Sequence, residues 1–320
     1  MQPNPQGGAD PGAAVLAVDV GGTDTKSALA TGGSELLDVR RAPTDRPVGD
    51  GPDAAGDAVV AQVARLLAEH RAARPRTRIG AIGLIAPGLV DEAAGVGIYS
   101  ANLGWSGYPF VERVAAATGL PVTFGHDVGA AGEAEFRLGA ARGYADVVVT
   151  IIGTGVAAAI FSDGRRVSGG GYAGELGHAS VPGGADCPCG ASGCLETVGS
   201  AGAIARRYAR SSGREVDGAR EVFALAAAGD RLAAAVVDDA VRGLAYGLSH
   251  VVSVLAPEAI VIGGGLSAAG EQLRAPLQRS LDSLLSIHRR PRLLFAELGP
   301  DAGLIGAGLR AGDLLAGSGR

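Results

Sequence analysis

The chain has almost no lysine, little sulfur and few aromatic rings. Lys26 is its one lysine, the other basic residues of a Lys+Arg total of 28 being arginine; there are three cysteines, one methionine and one tryptophan, and aromatics make up 4%. A formal net charge of −5 leaves no basic excess with which to neutralise phosphates, so nucleic acid and anionic membrane surfaces are excluded as partner classes. The uncharged stretch Val147–Ser162 is too short, and too broken by Gly153 and Gly155, to span a bilayer. Residues 1–12 lack a basic segment followed by an apolar one, so they read as a disordered tail rather than a signal peptide. A cytoplasmic location is therefore expected, in which thiols stay reduced.

What is present is a globular composition. With 320 residues, 47% of them hydrophobic, the chain has enough apolar material for two domains, and its 53 glycines point to Ala/Val/Leu packing with many tight turns.

All three cysteines fall in one segment, Gly174–Thr197. Together with His178, Cys187, Cys189 and Cys194 offer one imidazole and three thiolates, the donor set of a closed, tetrahedral, structural zinc site. The surrounding Pro, Gly, Ser and Asp make loops rather than core, which counts against buried apolar cysteines. A disulfide suits the spacing poorly, because Cys187 and Cys189 are separated by one residue and an odd count leaves a thiol over. Four protein ligands leave no place for a catalytic water, so zinc here would hold the loop, and with it Glu175, His178 and Glu196.

Ala14–Asp19 reads as a buried strand, Gly21-Gly22-Thr23 as a turn and Thr25–Thr31 as the return strand. Glycine turns let backbone N–H groups approach an anion, Thr23 adds a hydroxyl, and Lys26 is a compact cation suited to phosphate, although an exposed strand lysine is the plainer reading. The pattern recurs at Thr150–Ser162 with the turn Gly153-Thr154-Gly155, so two similar α/β halves are expected, each presenting a hairpin turn to one phosphate chain. A third glycine turn, Gly263-Gly264-Gly265, follows the strand Ala259–Ile262. Amphipathic helices are expected at Asp53–Ala73 and Asp230–Leu255, a strand at Arg78–Ala86, and a loop at Ser100–Trp105. A strand at 122–125 runs into His126-Asp127 and then a helix, Val128–Leu138. Asp127 fits either a helix cap or a catalytic carboxylate at the carboxyl end of a strand.

Asp19-Val-Gly-Gly-Thr, Gly153-Thr-Gly155, Gly174-Glu-Leu-Gly-His178 and Cys187-x-Cys-Gly-x-x-Gly-Cys-Leu-Glu196 together resemble the ROK family of sugar kinases and sugar-responsive repressors, over about residues 14 to 315. The resemblance implies the two-domain, α/β actin-like ATPase (ribonuclease H-like) fold, with an interdomain cleft that closes on sugar. It implies a smaller domain at 13–124 completed by a C-terminal helix at 304–316, and a larger one at 125–303. By the same resemblance Asp127 is the catalytic base, and Gly88, Asn102, His126, Asp127, Glu175, His178 and Glu196 face the sugar. Asp19, Gly21, Gly22, Thr23, Lys26, Gly153, Thr154, Gly155, Gly264 and Gly265 face ATP and its Mg2+, and a homodimer or homotetramer is implied. His178 would serve twice, one ring nitrogen on zinc and the other toward the sugar.

Three departures stand out. His126 occupies a position where the family usually has Asn, Ala157–Ala159 replace usual glycines, and the interval from His178 to Cys187 is one residue shorter than usual. The implied activity is transfer of the γ-phosphoryl group of ATP to a primary hydroxyl, O6 of glucose first. Because an imidazole places its donor and acceptor on opposite sides of a ring, where an amide offers both from one group, a modified sugar is the alternative: kanosamine, glucosamine, N-acetylmannosamine or a C7-cyclitol. A repressor is disfavoured, since about a dozen residues before the first strand cannot form a helix-turn-helix. A catalytically silent sugar sensor is disfavoured by the presence of Asp127, Asp19 and both turns.

Overall fold

A computed structural model describes residues 13–49 and 51–317, so the tail expected at residues 1–12 lies outside the described residues. By contacts the chain divides into two units, one holding residues up to Ala134, Gly169–Tyr172 and Asp301 onward, the other Glu135–Ser168 and Ala173–Pro300.

In the first unit β1 (Ala13–Val20), β2 (Asp24–Ala30) and β3 (Leu36–Pro43) form an antiparallel meander. After helix α1 (Ala54–Ala73), β4 (Arg78–Ala86) pairs parallel to β1. A small sheet of β5 (Leu89–Asp91), β6 (Val96–Ser100) and β7 (Trp105–Tyr108) follows. Then come α2 (Phe110–Thr118), β8 (Val122–His126) parallel to β4, and α3 (Asp127–Leu138), in which the boundary between the units falls. The main sheet runs β3-β2-β1-β4-β8. Its central strand is buried on both faces, which is why β1 reads as an unbroken apolar run. Leu16 and Val18 pack with Val59, Val63 and Leu66 of α1, whereas Ala17 belongs to a separate cluster with smaller side chains. Trp105, Tyr108, Phe110 and Phe124 gather much of the aromatic content in one cluster, with Trp105 edge-on to Phe110 at 4.9 Å.

Behind β2, Ser27 Oγ lies 2.9 Å from His70 Nε2, and His70 Nδ1 lies 2.9 Å from Asp38 Oδ2. This serine–histidine–aspartate line is not a nucleophilic site, because Ser27 and His70 are both 0% exposed. It straps α1 to the β2–β3 hairpin, with burial holding the imidazole below its ordinary range.

The second unit repeats the plan. β9 (Val147–Ile152), β10 (Val156–Ser162) and β11 (Arg165–Val167) form the antiparallel part. The strands of the cysteine loop, β12 (Ser180–Asp186) and β13 (Ser192–Cys194), come next, then helices α4 (Glu196–Gly199), α5 (Ala201–Ser212), α6 (Ala219–Ala227) and α7 (Arg231–Leu255). β14 (Ala259–Gly263) pairs parallel to β9, and after α8 (Glu271–Leu284) β15 (Arg292–Phe295) pairs parallel to β14. The order β11-β10-β9-β14-β15 matches that of the first sheet strand for strand. Asp230, expected as the first residue of α7, is its cap, accepting from the N–H groups of Leu232 and Ala233 at 2.8 and 3.0 Å. Buried Glu135 takes the N–H groups of Ala140, Glu297 and Leu298 at 2.9, 3.1 and 2.7 Å, tying the end of α3 to the segment after β15.

Helix α9 (Ala302–Leu315) belongs to the first unit. Gly83 of β4 and Gly306 of α9 are glycines for want of room, since a Cβ on either would overlap the carbonyl of Ala307 or of Ala130.

Candidate active site and metal centre

In the first unit the turn Gly21–Thr23 joins β1 to β2 and is braced from behind. Thr44 Oγ1 donates to the Gly21 carbonyl at 2.7 Å, the Thr44 N–H to the Thr23 carbonyl at 2.8 Å, and Arg46 Nη2 to the Gly22 carbonyl at 2.9 Å. Because a trans peptide points its N–H opposite its C=O, committing the carbonyls of Gly21 and Gly22 turns the N–H groups of Gly22 and Thr23 the other way. Those two N–H groups are not committed to the bracing residues behind the turn. Neither Thr44 nor Arg46 carries a sequence signal; each is recognisable only by its contact with the turn.

Asp19 lies at the end of β1. Burial, and then the Asp127 carboxylate, push its carboxyl up to about 6; Lys26 opposes the shift and Asp301 adds to it. Lys26 Nζ is 3.4 Å from Asp301 Oδ1, at the start of α9, so the chain's one ammonium is shared with a carboxylate that no motif marked. Asn102 and Gly88 also lie in this unit. Asn102 is exposed in the turn between β6 and β7, and Gly88, at φ 115°, packs against the Tyr99 carbonyl.

Asp127 is the first residue of α3, one position earlier than the sequence suggested. Its Oδ1 accepts the Val128 N–H at 2.7 Å and lies 3.4 Å from His126 Nε2. The Gly129 N–H donates to His126 Nδ1 at 3.4 Å, so neutral His126 carries its proton on Nε2, facing the Asp127 carboxylate. His126 is thus both a cap for α3 and a neighbour of the Asp127 carboxylate.

In the second unit Gly153-Thr154-Gly155 closes β9 onto β10, with the Gly153 N–H on the Gly155 carbonyl at 2.9 Å and the Ala201 N–H on the Gly153 carbonyl at 2.9 Å. Glu196 Oε2 accepts the Val156 N–H at 3.0 Å, and a Cβ at Gly155 would run into that carboxylate. Gly174 and Gly177 lie flat on β10, where a Cβ would overlap the carbonyls of Ala158 and Val156. The alanines that stand in place of glycine on β10 therefore leave the backbone contact with Gly174 intact; the Ala158 N–H donates to its carbonyl at 2.8 Å. Gly264, at φ 78°, closes against the Ile152 carbonyl, and Gly265 follows it outside the strand.

The donor atoms of His178, Cys187, Cys189 and Cys194 all lie within 4.8 Å of one another. Cys189 Sγ and Cys194 Sγ are 3.7 Å apart, and Cys187 Sγ is 3.8 Å from His178 Nδ1. A tetrahedron with Zn–S bonds of about 2.3 Å has edges of about 3.8 Å, so these separations fit a zinc-sized cation and are far too long for an S–S bond. His178 turns Nδ1 toward the thiols, and its Nε2 lies 3.9 Å from Glu175 Oε2.

The model of the ROK family matches residues 15–312. This chain belongs to the ROK family. It is 34% identical to the glucokinase of Halalkalibacterium halodurans, over 92% of this chain and 93% of that one, and 32% identical to the N-acetylmannosamine kinase of Shigella flexneri, over 93% and 98%. Among solved structures it resembles a ROK family glucokinase from Streptomyces griseus in complex with glucose and AMPPNP, with a TM-score of 0.77, 29% identity and coverage of 94% and 99%. The repeated sheet order described above is thus that of the actin-like ATPase fold of the ROK sugar kinases.

Proposed function

We propose that the protein is an ATP-dependent hexose kinase that phosphorylates a primary hydroxyl, with glucose as its first substrate. The observation that carries this reading is Asp127 at the carboxyl end of β8, a carboxylate in the same unit as a braced glycine turn and half-buried Asp19. Phosphoryl transfer asks the protein mainly for positioning and charge neutralisation. ATP supplies the γ-phosphoryl group, and Mg2+, when bound, would supply charge neutralisation for it. Within the first unit Asp127 accepts the proton of the attacking hydroxyl, late in the reaction because a carboxylate is a weak base. Gly21, Gly22 and Thr23 offer N–H groups to phosphate, Lys26 adds charge, Asp19 would help hold Mg2+, and Gly88, Asn102 and His126 meet the sugar. In the second unit Gly153, Thr154 and Gly155 offer the other phosphate turn, Gly264 and Gly265 flank the adenosine, and Glu175, His178 and Glu196 take sugar hydroxyls. Zinc on His178, Cys187, Cys189 and Cys194 fixes that loop.

The family relationship to an N-acetylmannosamine kinase, together with His126, favours one second reading, a kinase of an amino or otherwise modified sugar. A coupled ADP-release assay over glucose, mannose, glucosamine, N-acetylmannosamine and 3-amino-3-deoxyglucose decides between the two. Asp127→Asn is expected to lose most of kcat while sugar affinity stays within about tenfold, because the amide keeps its hydrogen bonds but takes no proton. Turnover near that of the wild type in this variant would remove Asp127 from the role of base.

A further inference from the structure

Arg310 of α9 reaches the corner where β8 turns into α3. Its side chain is 11% exposed; Nε donates to Glu133 Oε2 at 2.7 Å and Nη1 to Glu92 Oε1 at 3.0 Å. The same oxygen of Glu92 accepts the backbone N–H of His126 at 3.2 Å. Glu133 lies on α3, the helix that Asp127 begins, and Glu92 directly follows β5. Gly125 makes the space: a Cβ there would overlap Arg310 Nη1, although Gly125 lies within β8 and has no positive φ that would itself call for glycine.

A buried ion network is a weak device for stability alone, since apolar packing of the same volume usually serves as well. What a guanidinium between two carboxylates adds is direction, because its planar fork fixes both partners. We propose that Arg310, Glu92 and Glu133 are positioning residues for the transfer reaction. In this role the guanidinium sets Glu92, Glu92 holds the His126 backbone, and Glu133 holds α3, so that Asp127 is presented to the acceptor hydroxyl at a fixed angle. In this reading all three act through Asp127 rather than on substrate. The proposal rests on the reading of Asp127 as the base.

The test uses the full-length protein with a hexose that the wild type phosphorylates, and compares Glu92→Ala, Glu92→Gln, Arg310→Met and Arg310→Lys. Glu92→Ala and Arg310→Met are expected to lose kcat by about tenfold or more with the KM for ATP within about twofold, as misplacement of a reacting group predicts. Hydrogen exchange in a peptide spanning 122–130 should rise in both, while the peptide covering β9 and β10 stays unchanged. Glu92→Gln retains an acceptor for the His126 N–H and should recover most of the loss; Arg310→Lys, which cannot reach both carboxylates, should recover little. A folded Glu92→Ala with kcat within about twofold of wild type and unchanged exchange overturns the proposal, as does a Glu92→Gln loss equal to that of Glu92→Ala. If Arg310→Met does not fold, the Glu92 pair decides. If the wild type phosphorylates no hexose, it is the functional reading that fails, and the exchange measurements still decide whether Glu92 and Arg310 hold the His126 corner.

Discussion

Glu196 Oε2 accepts the backbone N–H of Val156 at 3.0 Å, so the first residue after the Cys194-Leu195 pair of the cysteine loop is bonded to the first residue of the strand leaving the Gly153–Gly155 turn. One of its two carboxylate oxygens thereby serves the hairpin. Glu196→Ala is expected to raise the KM for ATP as well as that for sugar, each by about tenfold, because a hydrogen bond to a charged group contributes about 1.5 kcal/mol or more. Steady-state kinetics with each substrate varied in turn provide the check, and a KM for ATP that does not move would separate the two functions.

Zinc should support stability and activity together. Cys189→Ser, or chelation of the wild type, is expected to lower the thermal midpoint and abolish sugar binding, because losing one donor frees the segment that carries Glu175 and Glu196. Elemental analysis of freshly purified, active protein should find about one zinc per chain; active protein without zinc would disprove the assignment.

Asp19 should set stability against function through pH. Its folded pKa of about 6 lies above the 3.8 of a free aspartate, so the folded state keeps a proton that the unfolded chain has released. Its contribution therefore favours folding below about pH 4 and is lost as pH rises through 6, leaving an ionised, crowded carboxylate that costs up to about 3 kcal/mol at neutral pH. Asp19→Asn should raise the thermal midpoint of the ligand-free protein at pH 7.5 and lose that advantage near pH 4.5, while activity falls. Melting curves at the two pH values decide; equal shifts at both would mean that ionisation of Asp19 is not the cause.

Much of this architecture was legible because period and punctuation agreed. β1 and β9 are apolar runs ended by Gly/Thr turns, and α1 and α7 are long amphipathic stretches opened by Asp53 and Asp230. His178, Cys187, Cys189 and Cys194 stood out as a candidate donor set because they lie close together in the chain, and the structure brings their donor atoms within 4.8 Å of one another. The β5–β7 sheet was harder to read, since strands as short as β5 and β7 give too little alternation, and only the loop around Asn102 stood out. What stayed hidden depends on distance along the sequence. Lys26 meets Asp301 across 275 residues and Arg310 meets Glu92 across 218, so neither pair forms a local pattern. The bracing of Gly21 and Gly22 by Thr44 and Arg46 was invisible for a related reason, because a hydrogen bond to a carbonyl places almost no demand on residue type.

Helix α9 covers a sheet built from residues 13–126, yet it is encoded after the whole of the second unit. During synthesis the face of β1 and β4 that carries Ala17 and Ile85 must wait, only partly covered by Ala130 of α3, until residues 302–315 have left the ribosome. The second unit has no such dependence, since its strands and helices are complete before residue 301 is added. The usual N-to-C order of domain maturation on the ribosome is therefore reversed, the later-encoded half finishing first. Premature termination anywhere before α9 would release a chain with an intact second half and a sticky, half-built first one, the kind of species that chaperones and proteases select.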